Sequence, residues 1–128
     1  MVKDKLDMYD RKGLFSRDGS IKRLTSSFLG KARHNLETAR VMFDLSESNS
    51  AKEALKISSS YAAYDWAIVS AYYAMYHAAL GALASLGFKS EDHEATRIAL
   101  LYYYVLEGSL ESKYVTVLGK ARKLEEEY

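Results

Sequence analysis

The sequence contains no Lys, Arg, Asp or Glu over the 23 residues from Trp66 to Phe88. A run of this length is long enough to cross a bilayer as a helix. Its interior, however, holds three tyrosines, one histidine and two serines, whereas spanning helices concentrate Leu, Ile and Val and place Tyr near the two membrane surfaces. We therefore expect a helix that is buried on most sides within a helical bundle, and no membrane span.

The composition is that of a chain with its own hydrophobic core. Of the 128 residues, 48% are hydrophobic and 27% are charged, and the formal net charge is only +1. These values argue against disorder and against polyanion binding driven by overall charge. The sequence has no proline, which favours long uninterrupted helices, and no cysteine, which excludes disulfides and thiolate metal sites and favours a cytoplasmic location.

Apolar spacing divides the rest of the chain into helices. Between Ile21 and Phe43, apolar residues recur every three or four positions, which is typical of one helical face. The residues from Leu100 to Val105 are of types common in strands, but the sequence offers no second strand to pair with them. The predicted helices cover about residues 21 to 45, 51 to 57, 64 to 86, 90 to 107 and 110 to 124.

Small polar residues and glycines indicate where these helices begin and end. Asp18 or Ser20 can cap the first long helix, and the polar run from Ser46 to Ser50 is predicted to be a loop. Gly87 is placed for a left-handed helix end, and Ser90 can cap the helix that follows.

The fold class that follows is all-α. We predict a single domain in which residues 20 to 128 form an antiparallel up-down bundle of four to five helices. Residues 1 to 19 are predicted to form an N-terminal extension, and the acidic residues among the first seven argue against a signal peptide.

Motifs for metals, phosphate loops and serine nucleophiles are absent from the sequence. No Glu precedes a histidine by three positions, as di-metal carboxylate bundles require, and no His-x-x-x-His pair occurs. The Gly-x-Gly-x-x-Gly, P-loop and Gly-x-Ser-x-Gly patterns are also missing. We therefore expect no metal site and no bound cofactor.

The uncharged helix resembles the signature helix of a known family. Its segment YDWAIVSAYYAMYHAA, residues 64 to 79, is similar to the central helix of the HEPN domain family in its small archaeal and bacterial branch. The segments from Lys31 to Met42 and from Lys120 to Tyr128 resemble other helices of that family, and the segment from Gly87 to His93 resembles the loop that enters its third helix. The resemblance covers about residues 20 to 128. It implies an antiparallel helical bundle that is usually a homodimer. The eleven tyrosines, more than a small core needs, independently favour a dimer interface.

The same resemblance leaves several activities open. HEPN domains include metal-independent RNase toxins, non-catalytic nucleotide or RNA binders, and partners of minimal nucleotidyltransferases. Catalytic members carry Arg-x(4 to 6)-His late in the bundle, and no Arg precedes any of the three histidines at that spacing. After Arg122, the positions for such a histidine are Glu127, Tyr128 and one beyond the given sequence. We therefore expect a non-catalytic nucleotide- or nucleic-acid-binding domain or a nucleotidyltransferase partner, with an RNase toxin and a structural scaffold as the alternatives.

The candidate ligand site consists of polar and aromatic side chains on the central helix and of basic residues on the last two helices. His77 can instead be a neutral core histidine bonded by tyrosine hydroxyls, His93 can bond a loop carbonyl, and the basic residues can form a solvated face. The candidate ligand-binding residues are Ser70, Tyr73, His77, His93, Arg97 and Arg122.

Overall fold

Helices account for 75% of the computed structural model, which describes residues 1–127. The predicted all-α bundle is confirmed. A short 3₁₀ segment precedes the second helix and a π-helical turn follows the fifth. The helices are α1 (Val2–Arg11), α2 (Thr25–Glu47), α3 (Asn49–Ala54), α4 (Tyr64–Ser85), α5 (His93–Leu100) and α6 (Ser112–Glu126), and the strands are β1 (Phe15–Arg17) and β2 (Phe88–Ser90).

The two long helices, α2 and α4, form an antiparallel pair. At one end, the Ser46 hydroxyl of α2 accepts a hydrogen bond from the backbone N–H of Ala63 at 2.7 Å. In the middle, Asn35 Nδ2 lies 3.2 Å from Nδ1 of His77. At the other end, α2 approaches Gly81 so closely that an added Cβ would lie 3.1 Å from a Leu29 methyl carbon. A side chain at this position would push the Leu29 side chain aside, so glycine permits the close packing.

The uncharged helix α4 occupies the centre of the bundle. Among the described residues it is the one helix long and apolar enough to cross a membrane, with a mean hydropathy of 1.2 over 18 residues. It packs against α2, α5 and α6, and 44% of that window is buried by this packing. The central helix of a helical bundle commonly has this composition.

Residues 1 to 19, predicted to be an extension, contribute α1 and β1 to the core. Leu6 and Phe15 are buried in one cluster with Leu83 of α4. Strand β1 pairs in antiparallel fashion with β2, and the rings of Phe15 and Phe88 stack with centroids 5.2 Å apart. The sequence did not predict this pairing, because three-residue strands are too short to show an alternating pattern.

The cap of α5 differs from the sequence prediction. Asp92, and not Ser90, accepts the hydrogen bond from the backbone N–H of Ala95 at 2.9 Å. Ser90 instead belongs to β2 and bonds the Thr96 hydroxyl at 2.6 Å. Gly87 has a φ of +86°, which confirms the predicted left-handed turn after α4.

The loop predicted over residues 46 to 50 is shorter than expected. Helix α2 continues to Glu47 and α3 begins at Asn49. Only Ser48 separates them, and its hydroxyl caps α3 by accepting the backbone N–H of Ala51 at 3.1 Å. Serines satisfy the backbone at helix ends as well as in loops, so a polar run alone does not distinguish the two.

Candidate ligand-binding groove

A groove of about 690 Å³ lies between the start of α5 and the length of α6. We call it the α5–α6 groove. The buried side chain of Tyr72, on α4, contributes to its lining. The basic residues that line the groove are Arg97, Lys120, Arg122 and Lys123, and the acidic ones are Asp92, Glu94 and Glu126.

His93 is fixed in the groove by two tyrosines of α4. The Tyr72 hydroxyl is hydrogen-bonded to Nδ1 of His93. The His93 ring stacks on the Tyr76 ring with centroids 4.2 Å apart and an angle of 10° between the planes. Because one ring nitrogen and one ring face are occupied, the second nitrogen, Nε2, remains for a ligand.

Burial keeps both members of this hydrogen bond neutral. Desolvation lowers the pKa of His93, and the nearby positive charge of Arg122 lowers it further. Desolvation also raises the pKa of Tyr72. With both groups neutral, the Tyr72 hydroxyl can donate to Nδ1, which places the imidazole proton on Nε2 as a donor into the groove.

Arg122 is held by two carboxylates of its own helix. Its Nη1 donates to Glu125 at 2.9 Å and its Nε lies 3.3 Å from Glu126. The Glu125 side chain is only 18% exposed, so solvent screens this pair less than a typical surface pair. The guanidinium carbon also lies 6.0 Å from the centre of the Tyr72 ring. An anionic ligand at Arg122 would therefore have to displace these carboxylates or share the guanidinium with them.

Arg97 is held in the same way on α5. Its Nε and Nη2 donate to the two carboxylate oxygens of Glu94 at 3.0 and 2.5 Å. The hydrogen bond from Arg97 holds the pKa of Glu94 below its ordinary value. Gly119 of α6 lies beside the arginine stem, where an added Cβ would be 3.5 Å from Cδ of Arg97. The pair thus sits where α5 and α6 approach each other.

Three of the six candidate residues line the α5–α6 groove. His93, Arg97 and Arg122 come from two helices that are separated in sequence by the π-helical turn and a loop. The sequence analysis missed the contribution of Tyr72, a buried residue of α4. It also omitted Lys120 and Lys123, although the run from Lys120 to Lys123 contains three basic residues and was a usable signal.

The other three candidates lie outside this groove. The Tyr73 ring contacts both histidine rings, with centroids 6.4 Å from His93 and 6.0 Å from His77. His77 faces α2, where it meets Asn35, and burial lowers its pKa. Ser70 lies half-buried about two turns earlier on α4. Tyr73 therefore separates the two histidines, and only His93 reaches the groove.

No family model matches the sequence, and neither a curated protein nor a solved structure matches it. The chemistry of the α5–α6 groove follows from its own side chains. Guanidinium groups bind phosphate oxygens in a bidentate manner, and imidazole can donate a further hydrogen bond. Within residues 1–127, no cluster of three or more His, Asp or Glu side chains is arranged to hold a metal ion.

A second groove, of about 500 Å³ and almost entirely apolar, lies between α2 and α4. We call it the α2–α4 groove. The side chains of Leu36 and Phe43, on α2, are each 50% exposed there. Large exposed apolar side chains grouped in this way are typical of interaction surfaces. The residues that line the groove include Leu36, Ala39, Phe43, Tyr64, Ala67 and Ile68.

Proposed function

We propose that this chain is a non-catalytic HEPN-type helical domain that binds a nucleotide or a nucleic acid in the α5–α6 groove. The observation that carries the proposal is the convergence of His93, Arg97 and Arg122 on one groove. The resemblance of residues 64 to 79 to the HEPN signature helix and the helical bundle support the family assignment.

The size and lining of the groove fit such a ligand. Its volume of about 690 Å³ lies within the range of roughly 300 to 1,000 Å³ that is usual for small-molecule sites. Arginines offer phosphate contacts, while Val115 and Leu118 supply the apolar part of the lining. The chain as a whole is nearly neutral, so binding would depend on this local arrangement.

Calorimetric titration of the full chain with adenosine 5′-monophosphate and with a short single-stranded RNA tests the proposal. We expect binding of at least one of the two. Arg122→Ala should weaken it about ten- to hundredfold, because a charge-assisted contact is lost. Arg23→Ala is the matched control, since Arg23 is an exposed arginine of the 3₁₀ segment and lies outside the groove. Absence of binding to both ligands, or equal losses in the two variants, would contradict the proposal.

The proximity of His93 and Arg122 favours one second function, that of a metal-independent RNase. In the other tautomer, with Nδ1–H donating to the Tyr72 oxygen, Nε2 of His93 can take the proton of a 2′-hydroxyl, and a guanidinium can stabilise charge on the phosphate. The RNase function predicts that purified protein degrades RNA in the presence of EDTA. His93→Ala and Arg122→Ala should each abolish that degradation, whereas intact RNA in all samples would favour the non-catalytic function.

The partners that the resemblance implies remain part of the proposal. We propose a cytoplasmic homodimer that is not membrane-bound, with a minimal nucleotidyltransferase as a further partner. A purely structural scaffold is the remaining alternative, and it predicts no ligand binding at the α5–α6 groove. Co-purification with a nucleotidyltransferase encoded next to this chain would support the partner function.

A further inference from the structure

Four exposed charged residues of α2 form a stripe of alternating sign. They lie four, three and four positions apart, so they share one helical face beside the exposed side chains of Leu36 and Phe43. None of the four belongs to an ion pair within residues 1–127. In chain order they are Arg33, Glu37, Arg40 and Asp44.

This alternation makes the stripe complementary to itself in one orientation. If a second α2 lies antiparallel to the first, the order of signs is reversed, and each positive residue faces a negative one. Arg33 then lies opposite the partner's Asp44, and Glu37 lies opposite the partner's Arg40. Both pairs are centred on the same point of the helix, between Thr38 and Ala39, so one two-fold axis satisfies all four interactions.

The neighbouring apolar groove supplies the rest of an interface. Leu36 and Phe43 flank the centre of the charged stripe and are half-exposed in the single chain. A second copy would cover both side chains and the apolar lining contributed by α4. Charge complementarity fixes orientation and register, while burial of apolar area supplies affinity.

We propose that a second copy of this chain docks on the α2–α4 groove, with its α2 antiparallel to the first and with Arg33 opposite the partner's Asp44. The inference specifies the surface of the homodimer proposed above and rests on that part of the proposed function. The α5–α6 groove of each copy would remain outside the interface, because it is formed by other helices.

Sedimentation equilibrium of the full chain tests the surface. We expect a dimer for the wild type and a monomer for Leu36→Glu, because a charge would enter the apolar contact. Val117→Glu is the matched control, since Val117 is 47% exposed on α6, away from α2 and from the lining of the α2–α4 groove. A monomeric wild type, or equal dissociation in both variants, would overturn the inference.

Charge exchange tests the register. Arg33→Asp and Asp44→Arg should each weaken the dimer about tenfold or more, because two symmetric attractions become repulsions. The combination of the two substitutions should restore most of the affinity, since the exchanged pairs are again opposite in sign. A double variant as weak as the single ones would overturn the register. Ligand titration of the monomeric Leu36→Glu variant, with unfolding temperature as a check of its fold, separates a failure of this surface from a failure of the ligand site.

Discussion

Tyr72 connects the central helix to the α5–α6 groove through a single hydrogen bond to His93. Its ring also lies beneath Arg122. One buried side chain therefore bonds the imidazole and lies under a guanidinium of the candidate site. Because contacts already restrict the side chains of His93 and Arg122, less conformational entropy would be lost when a ligand binds.

The histidines of α4 and α5 make stability depend on pH. Burial lowers the pKa values of His77 and His93 below 6.5, their ordinary value in the unfolded chain. At pH values between the folded pKa and 6.5, the unfolded chain binds more protons, so stability rises with pH. The contribution is therefore complete above about pH 6.5 and is lost as the pH falls through the folded pKa.

We accordingly expect the free energy of unfolding, measured in urea, to decrease as the pH is lowered from about 7.5 to about 5.5. His93→Gln should reduce this dependence, because one of the two buried imidazoles is removed. His34→Gln, at an exposed position on α2, is the control and should leave it unchanged. A wild type equally stable at both pH values would show that the two histidines do not destabilise the fold when protonated.

At the level of elements, the α2–α4 pair depends on the glycine at its closest approach. Gly81→Val should lower the free energy of unfolding by about 1–3 kcal/mol, because its side chain would overlap Leu29 and Phe28. Gly30 lies on the exposed side of α2, where a Cβ added to it would meet no heavy atom within 4 Å.

Gly30→Ala is therefore the matched substitution and should raise the free energy of unfolding by up to about 1 kcal/mol, since alanine favours the helix. Urea denaturation measures both changes. A Gly81→Val variant as stable as the wild type would mean that the two helices can separate at this point without cost.

At the scale of the whole molecule, the first nineteen residues share a hydrophobic core with α4 and α5. Leu6→Ala should cost about 2–5 kcal/mol, as expected for a leucine buried to 4% exposure beside Phe15. Leu55→Ala, at a leucine that is 62% exposed, should change stability by less than about 0.5 kcal/mol. Equal small effects in urea denaturation would indicate that α1 is an independent extension that does not stabilise the bundle.

The helical class and the positions of the long helices follow from local patterns of amino acids. The uncharged run indicated α4 because 23 residues are too many for a strand, and apolar residues at three- and four-residue spacing indicated α2 because that spacing follows the helix period. Gly87 marked the end of α4 for the same local reason, since its left-handed conformation is set by backbone sterics. The two arginines of the candidate site, Arg97 and Arg122, could be identified by residue type. The groove that they share could not be identified in this way.

Which of these residues meet depends on the packing of the helices in three dimensions. Three contacts join segments that are distant in sequence: Tyr72 with His93, His77 with Asn35, and β1 with β2. A local pattern specifies which face of a helix is apolar, whereas the neighbour of that face depends on how all the helices pack together.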